Sequence, residues 1–348
     1  MAFTLNNNKI LIIAEAGSNW KAKTYDDSVK RAKRLIQEAS KAGADVIKFQ
    51  TFRANTVYSE NAGKSEYLKK QGINENVEKI FDDLSMPYEM IPELYETCKK
   101  EKISFMSTPF SVEDAKQIDP YVSVHKVASF EINHVRMLEF LAKTKKPILI
   151  STGASTISEI DFAITTCKKN GNDKIVLLQC TSKYPAPLSS MNLSAIKTLK
   201  EKFKIPVGFS DHSVDPITAP ILSISFGASV IEKHFTLDKK LSGPDHSFAL
   251  EPEEFKMMVA SVKNAIKTIG TGKKEIQEDE KELRLFAKRS LQSIKNIKKG
   301  DILQEGINFD VLRPGNNSRG LEAKFLEECN GKKAKTEIKK GEGILEFE

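Results

Sequence analysis

One rhythm runs through the first two thirds of the chain and restricts its fold more than any other feature. Short β-branched runs end in polar residues, and each is followed by a longer stretch of helical periodicity. The runs occupy residues 10–14, 45–49, 103–107, 122–128, 147–151, 175–179, 206–209 and 229–233, eight in all. Helix-like stretches at 26–42, 92–100, 157–169 and 192–202 lie between them, long enough for right-handed crossovers between parallel strands. Eight such units predict a closed (β/α)8 TIM barrel. A doubly wound sheet is the competing architecture, but it usually needs fewer strands and a glycine-rich first turn, which this chain lacks.

The rhythm ends with a helical stretch at 253–269, so the barrel domain is expected to span residues 1–269. Residues 270–284 are charged and without apolar periodicity, and read as a linker. From 285 to 348 the texture changes to short apolar runs and glycine turns, which predicts a small β-rich second domain. A chain of 348 residues fits one large domain plus a small one.

Charge and cysteine usage exclude several classes. The net charge of +7 comes from lysines interleaved with Asp and Glu, the pattern of solvated helix faces. No finger or aromatic-basic signature accompanies it, so no nucleic-acid partner is expected, and anionic small substrates account for the excess lysine equally well. No apolar run reaches membrane-spanning length, and the first residues lack the zones of a signal peptide; no membrane association and a cytoplasmic location are expected. Cys98, Cys167, Cys180 and Cys329 are scattered without metal-ligand spacing, which reads as free thiols.

In a (β/α)8 barrel the loops after the strands build the active site. Here those positions carry Glu15 and Asn19; Lys48 and Gln50; Ser107 and Thr108; Lys126, Ser129 and Glu131; Ser151 and Thr152; Thr181, Ser182 and Tyr184; Ser210, Asp211 and His212; Glu232 and His234. Any one hydroxyl there is an ordinary turn former, but the whole set is not. Lys48 and Lys126 adjoin apolar strand positions, where an ammonium is costly unless an anion or a carboxylate pairs it. Two such lysines suggest a multiply charged anion; an ion pair with Glu15 or Glu131 is the structural alternative. Hydroxyls at Thr108, Ser129, Ser151, Ser182 and Ser210 suit phosphate oxygens. Neither dinucleotide nor P-loop glycine motifs are present, which argues against a nucleotide. His212 and His234 end two successive strands and can share a metal. Two imidazoles without cysteine suit an open octahedral ion better than a closed zinc site. His125, His134 and His246 read as structural.

Taken in order, Ile13-Ala14-Glu15-Ala16-Gly17-Ser18-Asn19, Val46-Ile47-Lys48-Phe49-Gln50-Thr51, Ser107-Thr108-Pro109-Phe110, Ser151-Thr152-Gly153, Ser210-Asp211-His212-Ser213 and Ile231-Glu232-Lys233-His234-Phe235-Thr236 resemble the sialic acid (nonulosonic acid) synthase family. The resemblance continues through Ser242-Gly243-Pro244-Asp245-His246 and into Val311-Leu312-Arg313-Pro314-Gly315-Asn316 of an antifreeze-like SAF domain. It implies condensation of phosphoenolpyruvate with an N-acylated hexosamine to a nine-carbon sialic, legionaminic or pseudaminic acid. It further implies a divalent ion (Mn²⁺, with Mg²⁺ and Co²⁺ as alternatives) on His212 and His234, and a domain-swapped homodimer.

By the same resemblance, Lys48, Thr108, Lys126, Ser129, Ser151 and Ser210 hold phosphoenolpyruvate. Glu15, Gln50, Tyr184, Asp245 and Arg313 face the sugar, and Glu131 stands near the reacting centre. A carboxylate beside Lys126 is expected to stay ionised near neutrality and to serve as the base. Two positions depart from the pattern: Trp20 where many members have histidine, and Ser182 where neuraminate-type members have asparagine. Residues 126–131 look closer to pseudaminate-type members, and residues 243–246 to neuraminate and legionaminate types. The alternatives are a phosphoenolpyruvate aldol synthase of the keto-deoxy-octulosonate phosphate type, or a non-catalytic sugar- or ice-binding protein.

Overall fold

The computed structural model describes residues 10–70 and 73–348. The chain divides into two compact units, one ending at Gly270 and the other spanning Thr271–Glu348. In the first, eight parallel strands follow the order of the sequence: β1 Leu11–Gly17, β2 Val46–Thr51, β3 Ser104–Pro109, β4 His125–Val127, β5 Ile148–Ser151, β6 Ile175–Cys180, β7 Val207–Asp211 and β8 Val230–His234. They hydrogen-bond in the order β3-β2-β1-β8-β7-β6-β5-β4, and β3 and β4 lie side by side at the remaining seam. The fold is the expected TIM barrel, and the doubly wound alternative falls.

A helix returns the chain after every strand, from Tyr25–Lys41 after β1 to Pro252–Ile269 after β8. Local chemistry starts them where they start. The Thr24 hydroxyl accepts from Asp27 N at the first helix, and Thr156 and Glu159 form a reciprocal capping box at Ile157–Lys169. The apolar faces of these helices and the outward faces of the strands form two buried clusters, one around Leu35, Phe49 and Phe235, the other around Leu138, Ile150 and Phe209. Between β2 and β3 an insertion carries three short helices: Ala54–Val57, Glu66–Lys70 and Val77–Leu84.

The barrel interior explains the placement of the polar residues. Ile13, Val46, Met106, Val124, Leu149, Leu178 and Val230 fill it as an apolar plug. On β7 the equivalent residue is Gly208, where a Cβ would come within 2.6 Å of Val230 O and 2.7 Å of Leu178 Cδ2. Side chains alternate along a strand, so the residue two positions later points inward again, one layer nearer the strand ends. Those residues are Glu15, Lys48, Thr108, Lys126, Ser151, Cys180, Ser210 and Glu232. Every strand thus passes from an apolar layer to a layer of charge, hydroxyl or thiol.

The second unit is small and β-rich. β9 Ser290–Ser293 pairs antiparallel with β10 Phe309–Leu312, and isolated bridges such as Gln292↔Gly343 and Ile297↔Ile338 extend the pairing. Leu291, Ile297, Leu303, Phe309, Ala334, Ile338 and Ile344 form its core. Gly320 and Gly343 permit a backbone crossing that no side chain would allow, since a Cβ on Gly343 would lie 2.1 Å from Gly320 N. Within the stretch read as a linker, residues 270–284, a turn at Glu278–Glu280 leads into a helix, Lys281–Ala287. Its Lys, Glu, Leu and Arg residues favour helix, while Leu283, Leu285 and Phe286 all remain exposed, so no buried stripe betrays it.

Candidate active site

A cavity of about 500 Å³ opens at the carboxyl ends of the strands. Fourteen of the residues given a role from the sequence line it: Glu15, Lys48, Gln50, Thr108, Lys126, Ser129, Glu131, Ser151, Ser182, Tyr184, Ser210, His212, His234 and Asp245. Arg313 belongs to the second unit, where it is exposed.

The inward ring forms the floor, with two lysines balanced by two glutamates. Glu15 lies opposite Lys48 in the β1/β2 register, and Lys48 Nζ reaches Glu15 Oε2 at 2.5 Å while donating to Thr108 Oγ1 at 2.9 Å. Lys126 Nζ donates to Ser151 Oγ at 2.7 Å and to Val127 O at 3.0 Å. Glu232 sits between the lysines, 4.0 Å from Lys126 and 3.8 Å from Lys48, and accepts from Ser210 Oγ at 3.0 Å. The strand-end reading includes Glu232 without a role, yet its carboxylate joins the two lysines. Its outer oxygen, Oε2, is buried without a hydrogen bond.

Burial in this ring works against charge, and the neighbours decide each outcome. Burial pushes Glu15 up to about 7 against the pull of Lys48. It lowers Lys126, with Glu232 opposing. Burial would also raise Glu232, but Lys126 and Lys48 hold it below the ordinary glutamate value. The floor therefore keeps its positive charges beside carboxylates that an incoming anion can displace.

Above the floor lie two places where polar groups converge on a glycine. At Gly153 a Cβ would fall 2.2 Å from Ser182 Oγ, 2.9 Å from Ser129 Oγ and 3.0 Å from Cys180 Sγ. Ser129 Oγ accepts from Gly153 N at 3.0 Å, and Ser182 Oγ is buried with no partner. At Gly17, in the left-handed region, the nearest groups are Asp245 Oδ2, Gln50 Nε2 and Glu15 Oε1. Gln50 donates to Glu15 at 2.8 Å, and burial pushes Asp245 up to about 6.

The two histidines face each other beside these cradles, ring centroids 5.4 Å apart. Tyr184 lies against His212 at 4.1 Å, and Phe248 against His234 at 4.8 Å. Thr181 O accepts from His212 Nδ1 at 2.8 Å, so in the neutral ring the lone pair is on Nε2. Burial pulls His212 down, but Cys180 beside it raises it above the ordinary histidine value, and His234 Nδ1 is buried without a partner. Burial and the neighbouring His212 hold His234 well below the ordinary histidine value, so it is neutral. Two neutral-capable imidazole nitrogens with no fixed partner fit a divalent ion that keeps open positions. Among the described residues no three His, Cys, Asp or Glu side chains are grouped as a closed site.

The backbone that carries these histidines is fixed from behind. Lys233 and Asp211 point away from the barrel axis, and Lys233 Nζ reaches Asp211 Oδ2 at 2.7 Å, Ser213 O at 2.5 Å and Asp215 O at 3.0 Å. Asp211 stands among the strand-end residues, but alternation hides its partner Lys233 from a reading confined to them. The other histidines are occupied elsewhere: His125 with Asp119, His246 with Thr236, and His134 as a helix cap.

Glu131 departs from expectation. It sits on a short turn, Ser129–Glu131, with Oε2 buried and unpartnered, and burial outweighs Lys126 to push it up to about 7. It is half protonated at neutrality rather than held ionised. Cys180, read as an ordinary free thiol, lines the cavity with its sulfur 3.7 Å from His212 Nδ1.

The NeuB family model matches residues 35–274, and the SAF domain model matches residues 288–346. The chain is similar to the pseudaminic acid synthase of Campylobacter jejuni, 39% identical over 98% of this chain and 96% of the relative. It is as similar to the N,N'-diacetyllegionaminic acid synthase of that species, 39% identical over 97% of this chain and 99% of the relative. Among solved structures it resembles the N-acetylneuraminic acid (sialic acid) synthetase of Leptospira borgpetersenii, with a TM-score of 0.69 and 34% identity, covering 80% of this chain and 90% of that one.

Proposed function

The chain belongs to the NeuB family, and from that premise we propose that it condenses phosphoenolpyruvate with an open-chain N-acylated hexosamine and water. The products are a nine-carbon 3-deoxy-2-keto acid and inorganic phosphate. The observation that carries this reading is the ring of two buried lysines and hydroxyls beneath the Gly153 cradle, beside two histidines with nitrogens to spare.

In this reading Lys126, Ser129, Ser151 and Ser182 take the phosphate, and Lys48, Thr108 and Ser210 take the carboxylate. Both anions are held by groups already aimed inward. Glu15, Gln50, Tyr184 and Asp245 orient the sugar. A divalent ion held by His212 and His234, Mn²⁺ with Mg²⁺ or Co²⁺ as alternatives, supplies Lewis acidity toward the aldehyde oxygen. Carbon three of phosphoenolpyruvate attacks the aldehyde carbon, forming the new carbon–carbon bond as the carbonyl π bond opens, which leaves positive character on carbon two and an oxygen that takes a proton from solvent to become a hydroxyl. Glu131 takes a proton from the water that adds there. Collapse of the tetrahedral centre breaks the carbon–oxygen bond, phosphate departs, and the 2-keto group remains.

The family resemblance also supports a cytoplasmic enzyme and a domain-swapped homodimer in which Arg313 of the SAF domain serves the partner's barrel. No helix among the described residues is long and apolar enough to cross a membrane. The test is phosphoenolpyruvate-dependent phosphate release with unphosphorylated N-acyl hexosamines, the product identified by mass. Release confined to a phosphorylated aldose would move the chain to the keto-deoxy-octulosonate phosphate type, and no release with any sugar would leave a binding protein.

A further inference from the structure

Three lysines line the cavity, and the reaction assigned above uses two of them. Those two are buried and already answered by carboxylates: Lys48 meets Glu15 and Glu232, and Lys126 meets Glu232. The third, Lys183, stands between Ser182 and Tyr184 on the loop after β6 and differs on both counts. It is exposed, and among the described residues no carboxylate or other acceptor engages its ammonium.

The backbone beneath Lys183 is fixed although its side chain is free. Lys183 N donates to Thr181 O at 2.8 Å in a tight turn around Ser182, and the same carbonyl accepts from His212 Nδ1. Thr181 Oγ1 donates to Ser190 O at 2.9 Å, and Ala186 N donates to His212 O at 2.9 Å. Between these bonds the Tyr184 ring lies on His212. The loop after β6 is thus stapled to the loop after β7 on both sides of Lys183. Its side chain leaves from a set position beside Ser182, whose buried hydroxyl belongs to the Gly153 cradle and has no partner.

Phosphoenolpyruvate brings a carboxylate and a phosphate of about two negative charges. A lysine with a carboxylate beside it presents a dipole, whose field fades faster with distance than that of a single charge. The paired lysines of the floor therefore hold an anion that has arrived but draw it poorly from solvent. An unpaired cation at the mouth acts outward over about a Debye length, roughly 8 Å at physiological salt. Resting on the reaction assigned above, we propose that Lys183 captures phosphoenolpyruvate from solvent and passes its phosphate to the cradle of Ser129 and Ser182. Lys183 then serves association, and the chemical step does not depend on it.

The experiment has two arms, each run at low and at physiological salt on wild type, Lys183→Gln, Lys183→Glu and Lys183→Arg. Calorimetry measures phosphoenolpyruvate binding without any sugar, and phosphate release gives kcat and KM. At low salt Lys183→Gln should weaken binding and lower kcat/KM for phosphoenolpyruvate by about tenfold, the loss falling on KM. Added salt should narrow the gap. Lys183→Glu should lose more, Lys183→Arg should keep most of the affinity, and KM for the sugar should not move. Gln and Glu variants that bind phosphoenolpyruvate as wild type does at low salt, or a loss that falls on kcat, overturn the capture role while leaving the reaction intact. Binding that weakens as expected, with no phosphate release from any sugar, overturns the reaction and supports Lys183 as an anion-capturing residue. Wild type that binds no phosphoenolpyruvate overturns both.

Discussion

Lys233 Nζ lies 2.7 Å from Asp211 Oδ2, both side chains fully buried, and each residue immediately precedes a histidine of the cavity. Lys233 also donates to Ser213 O and Asp215 O, so one ammonium ties together the segment on either side of His212. Removing one partner of a buried, hydrogen-bonded pair leaves the other charge uncompensated, at a cost of about 3–5 kcal/mol. Lys233→Met should therefore lower unfolding stability by about that much, and Asp211→Asn should do so too. The double variant Lys233→Met/Asp211→Leu should recover part of the loss. Denaturant titration of the three variants checks this, and additive losses would show that the two groups do not act as a pair.

Metal removal gives a second expectation. Wild-type protein dialysed against a chelator should lose phosphate release by at least ~100-fold, since an ion acting as Lewis acid supplies several kcal/mol toward the transition state. Mn²⁺ should restore it. His212→Ala and His234→Ala should stay inactive with added Mn²⁺ and should bind the ion more weakly by calorimetry. Full activity of the chelated wild type would remove the ion from the reaction.

Much of this architecture was legible in the chain, and the misses share a cause. All eight strands announce themselves by β-branched runs, but β1 reads as ending at residue 14 and β7 at residue 209, whereas they continue through Glu15-Ala16-Gly17 and Ser210-Asp211. Functional polar residues interrupt the apolar pattern where the site begins. The inward ring could be listed residue by residue, but its electrostatics could not. Whether Lys48 meets Glu15, and whether Glu131 is ionised, depends on burial and on three-dimensional neighbours. The helix Val77–Leu84 carries a readable signal, its Val77, Ile80, Phe81 and Leu84 stripe, but inside an insertion it lies outside the βα rhythm of the barrel.

Glu131 makes the reaction dependent on pH. With burial raising it to about 7, the base form accumulates only as pH rises through that value, so kcat/KM should climb to a plateau above it. Glu131→Gln should abolish turnover yet keep phosphoenolpyruvate binding. Stability should report the same group with a definite sign. A carboxyl raised in the folded state contributes stability fully present below its ordinary value and lost as pH rises through about 7. The variant escapes that loss, so its Tm relative to wild type should be higher at pH 8 than at pH 4. Equal losses of binding and turnover would point instead to an ion pair with Lys126.

Arg313 tests the proposed assembly. It is exposed on the loop after β10, and among the described residues no hydrogen bond or ion pair engages its guanidinium. An always-charged fork of donors suits a sugar rich in oxygens, and bracing a proline-glycine turn is the alternative role. Arg313→Ala and Lys126→Ala should each be nearly inactive as homodimers. Unfolded and refolded together, they form hybrids in which one barrel has its own Lys126 and receives Arg313 from the other chain. That site should work, and a random mixture should regain about a quarter of wild-type activity, since half the dimers are hybrid and each holds one intact site. If tagged pull-down shows hybrids and phosphate release stays at the level of the separate variants, Arg313 serves its own chain or none.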